Sequence, residues 1–330
     1  MQIVLPVAGF GSRLRPQTWS KPKPLVTVAG KTLIDHVLDR LVGLQPERVV
    51  FITGYLGEQI EAHVRANYQF EAVFVEQEEM AGQSHAILQA RDVISGPILV
   101  LFPDMIFEAD LSVTQTTAAD GILWVKPVED PSRFGVVVKT GEKVTRLVEK
   151  PDEPISNLAV MGIYFFRDAQ RLIATIERQI ASDVTTKGEY FIADAIQMMI
   201  DDGATFTTSD ATIWEDAGTT EAVLDTNRYL LDRAATTTSH AGALIVQPSL
   251  IDPSAVIEGS VIGPYASIGP HAKVSGSIVR DSIIDAGAQL QSVNLARSMV
   301  GRDALVRGAQ TSVNVGDSSV VNLARSDARG

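Results

Sequence analysis

The sequence has no cysteine, no surplus of basic residues and no long apolar run, and each absence excludes a class of protein. Without cysteine, the chain forms no disulfide, thiol nucleophile or cysteine-ligated zinc site. It carries 28 lysines and arginines against 40 aspartates and glutamates, and the formal charge of −12 argues against broad binding to nucleic acid or anionic membranes. No apolar run approaches the roughly 18 residues of a membrane span, and the first residues lack the basic region of a secretion signal. These absences predict a soluble, cytoplasmic protein.

The pattern of apolar residues changes character along the chain, whose 330 residues are enough for about two domains. Over 1–235, short apolar strands alternate with helical periodicities, which is typical of crossover units in a mostly parallel sheet covered on both faces. Within this part, the strand-like runs of 121–165 predict antiparallel additions to the sheet. We therefore predict an α/β domain over 1–235, with ligands at the carboxyl ends of its strands, and a second domain over 236–330.

The second domain shows a repeat of a different kind. Apolar residues recur there at every fifth or sixth position: Ile251, Ile257, Ile262, Ile268, Val274, Val279, Ile284, Leu290, Leu295, Val300 and Val306. Small residues follow several of them, and Gly-Pro occurs twice. This is the hexapeptide pattern of a parallel β-helix, in which each step supplies one face of the coil.

The loop after the first strand combines glycines with basic residues. Gly9 and Gly11 allow the backbone N–H groups to turn toward a phosphate. Four cations stand close together in this part of an otherwise acidic chain: Arg13, Arg15, Lys21 and Lys23. The dinucleotide and P-loop fingerprints both fail here, because Leu14 and Leu25 occupy positions that need glycine. The loop nevertheless predicts a phosphate-binding site.

The motif Gly9-x-Gly11-x-Arg13-Leu14-x-Pro16, followed by Lys23 in Pro22-Lys23-Pro24-Leu25, resembles the signature of the sugar-1-phosphate nucleotidyltransferases. Further segments resemble that family in the same order over about 1–230: Gln77 to Gly82, Asp104, Glu149 to Pro151, Ser156 to Tyr164, Gly188 to Asp194, and Trp214 to Thr219. The resemblance implies a Rossmann-like nucleotidyltransferase domain with a mixed, mostly parallel sheet, followed by a left-handed parallel β-helix.

The resemblance also implies an activity, in which an NTP and a sugar-1-phosphate give an NDP-sugar and pyrophosphate. Arg13 and Lys23 would be the catalytic cations on the triphosphate, and Asp104 and Asp216 would bind Mg²⁺. The nucleotide-binding residues would be Ala8, Gly9, Gly11, Gln77 and Gly82. The residues of the sugar-phosphate pocket would be Gly135, Glu149, Lys150, Asn157, Val160, Gly162 and Glu189.

These residue types suit the implied reaction. The attacking phosphate oxygen is already anionic, so no general base is required, and the protein must supply positioning and neutralisation of charge. Mg²⁺ prefers hard oxygen ligands, commonly one or two carboxylates together with phosphates and water. Arginine and lysine supply the remaining positive charge.

Several alternatives stay open at this stage. We expect dTTP as the nucleotide with UTP close behind, because thymine differs from uracil by one methyl group, worth roughly 1–3 kcal/mol in a pocket. Glucose-1-phosphate is the expected sugar, and a UTP-specific uridylyltransferase is an alternative. A bifunctional acyltransferase would use the β-helix, where His271 is the only histidine. A non-catalytic regulatory relative would have lost residues such as Lys150, which is present. We expect the β-helix to support a homo-oligomer.

Overall fold

The computed structural model describes residues 1–234, 239–309, 315, 318 and 319, with the backbone alone at Asp216. The helices of the first part are α1 Leu33–Leu41, α2 Gly57–Asn67, α3 Gln83–Gln89, α4 Ala169–Ala181, α5 Ile192–Asp201 and α6 Thr220–Arg233. Its strands are β1 Gln2–Pro6, β2 Thr27–Val28, β3 Lys31–Thr32, β4 Arg48–Thr53, β5 Ala72–Glu76, β6 Ile98–Leu101, β7 Met105–Ala109, β8 Gly121–Pro127, β9 Gly135–Thr140, β10 Lys143–Glu149, β11 Leu158–Phe166 and β12 Phe206–Asp216.

Most strands of the first part form one mixed sheet in the order β5-β4-β1-β6-β11-β8-β12-β10-β9, with β7 paired to β12. The neighbours β5, β4, β1 and β6 are parallel, as crossover connections require. The predicted antiparallel additions over 121–165 are confirmed, since β8, β9 and β10 have antiparallel neighbours. The prediction of a mostly parallel sheet is wrong for the described residues, because antiparallel pairings predominate beyond β6: β11 is antiparallel to both β6 and β8, and β12 to both β7 and β10.

Two apolar layers cover the sheet, which confirms the α/β class. One layer contains α3, α4 and α5, and the other contains α1 and α2. The sequence of α1 explains both its start and its burial. Thr32 and Asp35 form a capping box at its first turn, and the buried side chains lie on one stripe: Leu33, Ile34, Val37, Leu38 and Leu41. No helix in the described residues is long and apolar enough to cross a membrane.

The second part consists of very short strands that stack in three parallel sheets. The strands are β13 Ala243–Ile245, β14 Ser249–Ile251, β15 Val256–Glu258, β16 Ser260–Ile262, β17 Ala266–Ile268, β18 Lys273–Ser275, β19 Ile278–Arg280, β20 Ser282–Ile284, β21 Gln289–Gln291, β22 Asn294–Ala296, β23 Met299–Val300 and β24 Leu305–Arg307. Every third strand returns to the same sheet, which is the topology of a three-faced parallel β-helix.

All the apolar positions predicted for this repeat lie in or against the core of the coil, from Ile251 to Val306. Their spacing therefore indicated the architecture correctly. The left-handed sense of the coil stays a prediction. The predicted boundary between 235 and 236 lies outside the described residues.

The β-helix packs against the first part through a shared apolar cluster. On the side of the coil the cluster contains Ile283 and Met299. On the other side it contains residues of the 14–33 segment, of β7, of α6 and of the link before α6: Leu14, Val26, Val28, Leu33, Ile106, Ala217, Val223, Leu224 and Leu230. The two parts are thus joined by a continuous core.

Candidate functional site

A cleft opens at the carboxyl ends of the parallel strands, where the sequence predicted ligands. Segments after β1, β5 and β6 line a cavity of about 470 Å³. A second cavity of about 560 Å³ adjoins it, and Arg13, Phe102 and Asp104 line both. The loop after β4 is not part of this lining, and its Gly54 packs against Ala8.

The glycine loop at the start of the first cavity has the backbone that its residues allow. Ala8 is buried, and Gly9 is exposed with open space at its α-carbon. Gly11 has a φ of +60°, and a β-carbon there would lie 3.0 Å from the Lys23 β-carbon. Only glycine combines this left-handed backbone with such a close approach. Arg13 follows in a one-turn 3-10 helix, Ser12–Leu14, and its side chain is exposed at the mouth.

Lys23 points into the cleft and contacts Asp104. Its ammonium nitrogen lies 3.0 Å from the Asp104 Oδ2, and the lysine side chain is 13% exposed while the aspartate side chain is 49% exposed. The contact therefore lies between the protein interior and the open cleft. It joins a predicted catalytic cation to a predicted metal ligand.

Asp104 and Asp216 come together through the pairing of two strands. Asp216, at the end of β12, lies opposite Met105 on β7, and the Ala217 N–H donates to the Asp104 carbonyl at 3.0 Å. Directly opposed Cα atoms in an antiparallel pair are about 4.5–5.5 Å apart. The backbone thus brings the two predicted metal ligands to neighbouring positions at the edge of the cleft.

These two aspartates fit a magnesium site in the chemistry of their donors. Among the described side chains, no group of three or more His, Asp or Glu is arranged to hold a metal. A protein site for Mg²⁺ needs fewer carboxylates than that, because phosphates and water complete its octahedral shell. The Asp104 carboxylate is half exposed to the cleft and already binds a cation, Lys23.

Gln77 and Gly82 form the wall of the first cavity. Gln77 is buried, and its amide nitrogen donates to the Glu79 carbonyl at 3.0 Å. Gly82 caps α3 with a φ of +119°, and a β-carbon there would lie 2.6 Å from the Tyr190 nitrogen. Glycine is therefore required at 82 both for the backbone conformation and for the space.

The second cavity contains a buried acid beside a lysine. Glu149 and Gly135 are paired across β10 and β9, and a β-carbon at Gly135 would lie 2.9 Å from the Glu149 Oε2. The Lys150 ammonium lies 3.9 Å from the Glu149 Oε1 and 4.1 Å from the centre of the Phe191 ring. Burial raises the pKa of Glu149 to about 7, with Asp194 and Glu189 adding to the rise while Lys150 opposes it.

The other predicted sugar residues are placed differently from one another. Val160 and Gly162 line the second cavity, and Gly162 has a φ of +78° within a β-bulge of β11. Glu189 is exposed and lines the first cavity. The structure does not bring Asn157 to either cavity. Its side chain is exposed just before β11, and its carbonyl accepts from the Val128 N–H, so its predicted place in the pocket is not reproduced.

The sequence reasoning missed two cations of the second cavity and misplaced two others. Arg133 and Lys187 line this cavity, and the only signal for Arg133 was its position two residues before Gly135. Arg15 lies over the Trp19 ring, 4.1 Å from its centre, rather than in the cleft. Lys21 turns away from the cleft and pairs with Asp285 of the β-helix.

Known proteins resemble this chain in sequence and in fold. The family model described as Nucleotidyl transferase matches residues 2–233. The chain is 32% identical over 263 residues to the bifunctional protein GlmU of Methanocaldococcus jannaschii, covering 79% of this chain and 60% of that protein. It is 36% identical over 214 residues to the UTP–glucose-1-phosphate uridylyltransferase AglF of Haloferax volcanii, covering 62% of this chain and 86% of that one.

A further relative matches over almost the whole length of both proteins. It is the glucose-1-phosphate thymidylyltransferase of Streptomyces antibioticus, 28% identical over 359 residues, with 98% of this chain and 99% of that one covered. A solved structure of UDP-glucose pyrophosphorylase complexed with UDP-glucose has a similar fold, with a TM-score of 0.59, 22% identity, and 71% of this chain and 99% of that one covered. By contrast, the chain spans about 60% of the length of the GlmU relative.

Proposed function

Because the chain belongs to the nucleotidyl transferase family, we propose that it transfers a nucleotidyl group from an NTP to a sugar-1-phosphate. The products are an NDP-sugar and pyrophosphate. One observation carries the proposal: the backbone brings Asp104, just before β7, and Asp216, at the end of the paired strand β12, to the cleft that Arg13 and Lys23 line. A site for two phosphorylated substrates needs this concentration of charged groups at one edge of the sheet.

The proposed step balances without a proton transfer. An oxygen of the sugar phosphate forms a bond to the α-phosphorus of the NTP, and the bond from that phosphorus to the bridging oxygen of pyrophosphate breaks. Arg13 binds the triphosphate as a planar, bidentate donor, and Lys23 follows the leaving oxygen as a mobile point charge. Their positive charge stabilises the pyrophosphate as it departs.

Asp104 and Asp216 would hold Mg²⁺ in this proposal. When bound, the ion supplies positive charge against the phosphate oxygens and helps to orient them. Lys23, which contacts Asp104 in the structure, would then be available to bind phosphate.

Gln77 supports a pyrimidine with a hydrogen on its N3 atom. Its amide nitrogen donates to the Glu79 carbonyl, and its amide oxygen would serve as the acceptor for a base. Uracil and thymine offer an N3–H donor there, whereas cytosine does not. We propose dTTP as the preferred nucleotide with UTP close behind, in keeping with relatives of both kinds, a thymidylyltransferase and a uridylyltransferase.

The second cavity supports a sugar phosphate. Lys150, Arg133, Lys187 and Glu149 line it, where the three cations would bind a phosphate and Glu149 would bind sugar hydroxyls. The bare backbone of Gly135 leaves room for the Glu149 carboxyl beside it. We propose glucose-1-phosphate as the sugar, the substrate that the names of two relatives print.

A substrate grid tests the proposal. The purified protein is incubated with each of five nucleotides, dTTP, UTP, CTP, ATP and GTP, against several sugar-1-phosphates and Mg²⁺, and pyrophosphate release is followed. We expect dTTP or UTP with glucose-1-phosphate to give the highest kcat/KM. Omission of either the sugar phosphate or Mg²⁺ serves as the control and should abolish release. Failure of every pair to release pyrophosphate would refute the proposal.

Acyl transfer by the β-helix is the alternative that one relative's name favours, since GlmU is described as bifunctional. The same assay with acetyl-CoA and amino-sugar phosphates distinguishes it, because consumption of acetyl-CoA would support a second activity. The regulatory alternative predicts no turnover with any pair. Homo-oligomer formation stays a prediction that sedimentation analysis can check.

A further inference from the structure

The β-helix packs directly beneath the residues that the proposed reaction uses. Four members of the shared apolar cluster are close in sequence to them: Leu14 follows Arg13, Val26 follows Lys23 after two residues, Ile106 follows Asp104 after one, and Ala217 follows Asp216. The opposite side of this cluster is Ile283 and Met299 of the coil. One face of the β-helix therefore completes the apolar core that lies next to Arg13 and Lys23 and to the two aspartates.

Two polar contacts fasten the segment between Arg13 and Lys23 to the same face. The Gln17 amide nitrogen donates to the Met299 carbonyl at 3.1 Å. The Lys21 ammonium pairs with the Asp285 carboxylate, and both residues are almost fully buried, at 5% and 7% exposed. A buried ion pair is costly to break from one side, because the remaining charge loses its partner. The segment is thus held by an interaction that strongly resists displacement.

The chain between Lys21 and Lys23 transmits this attachment. Pro22 lies between them and Pro24 follows, and proline fixes φ near −65°, so the direction of Lys21 constrains that of Lys23. The Lys23 stem in turn packs against Gly11, whose carbonyl accepts from the Thr18 hydroxyl at 2.8 Å. The attachment to the coil therefore extends to both ends of the loop.

We propose that Lys21 and Asp285 are positioning residues, through which the β-helix holds Arg13 and Lys23 in the geometry needed for departure of pyrophosphate. The inference rests on the proposed function. Neither Lys21 nor Asp285 lines the cleft, so their effect on turnover passes through the loop. If Arg13 and Lys23 are misaligned, they stabilise the transition state less, and kcat falls.

The test compares variants of this pair with a variant of another pair at the same interface. Asp285→Asn removes the charge and keeps an oxygen for the bond from the Ala286 N–H, and Lys21→Met removes the other charge. Lys21→Arg is the conservative rescue. Arg228→Met is the matched control, because Arg228 ties α6, not the loop, to Asp281 of the coil at 2.8 Å.

Steady-state kinetics with both substrates and thermal unfolding are measured on the full-length chain. We expect Asp285→Asn and Lys21→Met to lower kcat about 10- to 100-fold, with the KM for the sugar phosphate within about twofold of the wild type. Lys21→Arg should stay within about fivefold of the wild-type kcat, and Arg228→Met within about twofold even where its Tm falls. If Lys21→Met fails to fold, Asp285→Asn decides the question.

Two outcomes would overturn the inference alone, and a third would overturn more. Wild-type kcat in Asp285→Asn and Lys21→Met, with only a lower Tm, would make the pair purely structural. An equal loss of kcat in Arg228→Met would show that any weakening of the interface has the same effect. Absence of pyrophosphate release by the wild type with every substrate pair would refute the proposed function, and this inference with it.

Discussion

Charged side chains stand in pairs of opposite sign in the cleft. Lys23 and Asp104 form a pair 3.0 Å apart at the boundary of the two cavities, and Glu149 and Lys150 form a looser pair at 3.9 Å in the second. Each pair places a cation beside a carboxylate in a chain whose formal charge is −12. Cations are therefore present at the cleft of a chain whose net negative charge repels polyanions.

Asp104→Asn should lower turnover at least about 100-fold while the fold survives, and Asp216→Asn should do the same. The amide of the Asp104 variant keeps the size of the side chain but loses the charge that binds a divalent cation. Pyrophosphate release and the unfolding temperature are the measurements. Glu108→Gln, on the adjacent strand β7 with a half-exposed side chain, is the control and should retain activity. Wild-type rates in Asp104→Asn would remove this residue from the metal site.

The raised pKa of Glu149 predicts a dependence of stability on pH. In the folded chain the carboxyl stays protonated up to about pH 7, whereas in the unfolded chain it ionises near its ordinary value of 4.5. Folding therefore favours the protonated carboxyl. The contribution of Glu149 to the free energy of unfolding is fully present below pH 4.5 and is lost as pH rises through 7. The loss is at most about 3 kcal/mol.

The comparison with Glu149→Gln isolates this contribution. Urea unfolding of both proteins at pH 5 and at pH 8 gives the difference in free energy of unfolding at each pH. We expect the wild type to lose stability relative to the variant between the two. A difference that stays constant within about 0.5 kcal/mol would contradict a raised pKa.

At the scale of elements, the start of α3 is tied to the segment before α5. The Tyr190 N–H donates to the Ala81 carbonyl at 3.0 Å, and the Ser84 N–H donates to the Tyr190 carbonyl at 2.9 Å. Gly82 lies between these bonds in a conformation that other residues rarely adopt. The wall of the first cavity thus depends on a contact between segments far apart in the chain.

Gly82→Ala should destabilise the protein by more than about 3 kcal/mol, because backbone strain of roughly 1–3 kcal/mol adds to a clash with the Tyr190 backbone. The KM for the nucleotide should rise as well. Urea unfolding and nucleotide kinetics are the measurements. Gly96→Ala is the control, since Gly96 also has a positive φ, +62°, but nothing lies within 4 Å of its β-carbon. Equal losses in the two variants would show that the clash is unimportant.

Elements with regular apolar patterns could be predicted from the sequence, and irregular ones could not. The strand β4 is almost wholly apolar in sequence, and the stripe of α1 and the repeat of the coil are equally regular. The strand Phe206–Asp216 was missed, because its polar sequence shows no alternation and its burial comes from pairing with β8 and β7. α2 and β7 were missed as well.

The candidate site follows the same division. The glycine loop and the two aspartates belong to local motifs, and the structure brings their backbones to one cleft, while their roles stay predictions. The partner of Lys21 was not predictable, because Asp285 is 264 positions away and nothing in the sequence marks it as buried. Asn157 belongs to a local motif too, but it is exposed and lines neither cavity, and its role stays a prediction.

At the scale of the whole molecule, the two parts depend on one another. Removing the β-helix would expose the apolar cluster that Ile283 and Met299 cover, together with the buried charge of Lys21. The first part thus has one apolar surface that the β-helix covers. The coil is in this sense part of the fold of the first domain.

Truncation after Arg233 should leave some nucleotidyl transfer but lower both kcat and Tm. The reduction in kcat should be at least about tenfold, because Arg13 and Lys23 would be held less rigidly against the phosphates. Pyrophosphate release and thermal unfolding are measured beside a control truncated after Ala309, which keeps every contact described at the interface. Full activity and an unchanged Tm in the shorter protein would show that the catalytic part stands alone.

The bonds that join Ala81 and Ser84 to Tyr190 also restrict how the cleft can move. They connect the start of α3 to the segment before α5, so these two walls of the cleft cannot separate there while the bonds hold. Glu189 and Arg13 line the same cavity and are exposed to water. In the proposed reaction, a nucleotide sugar that leaves past these two side chains would have to do so without any widening at that wall.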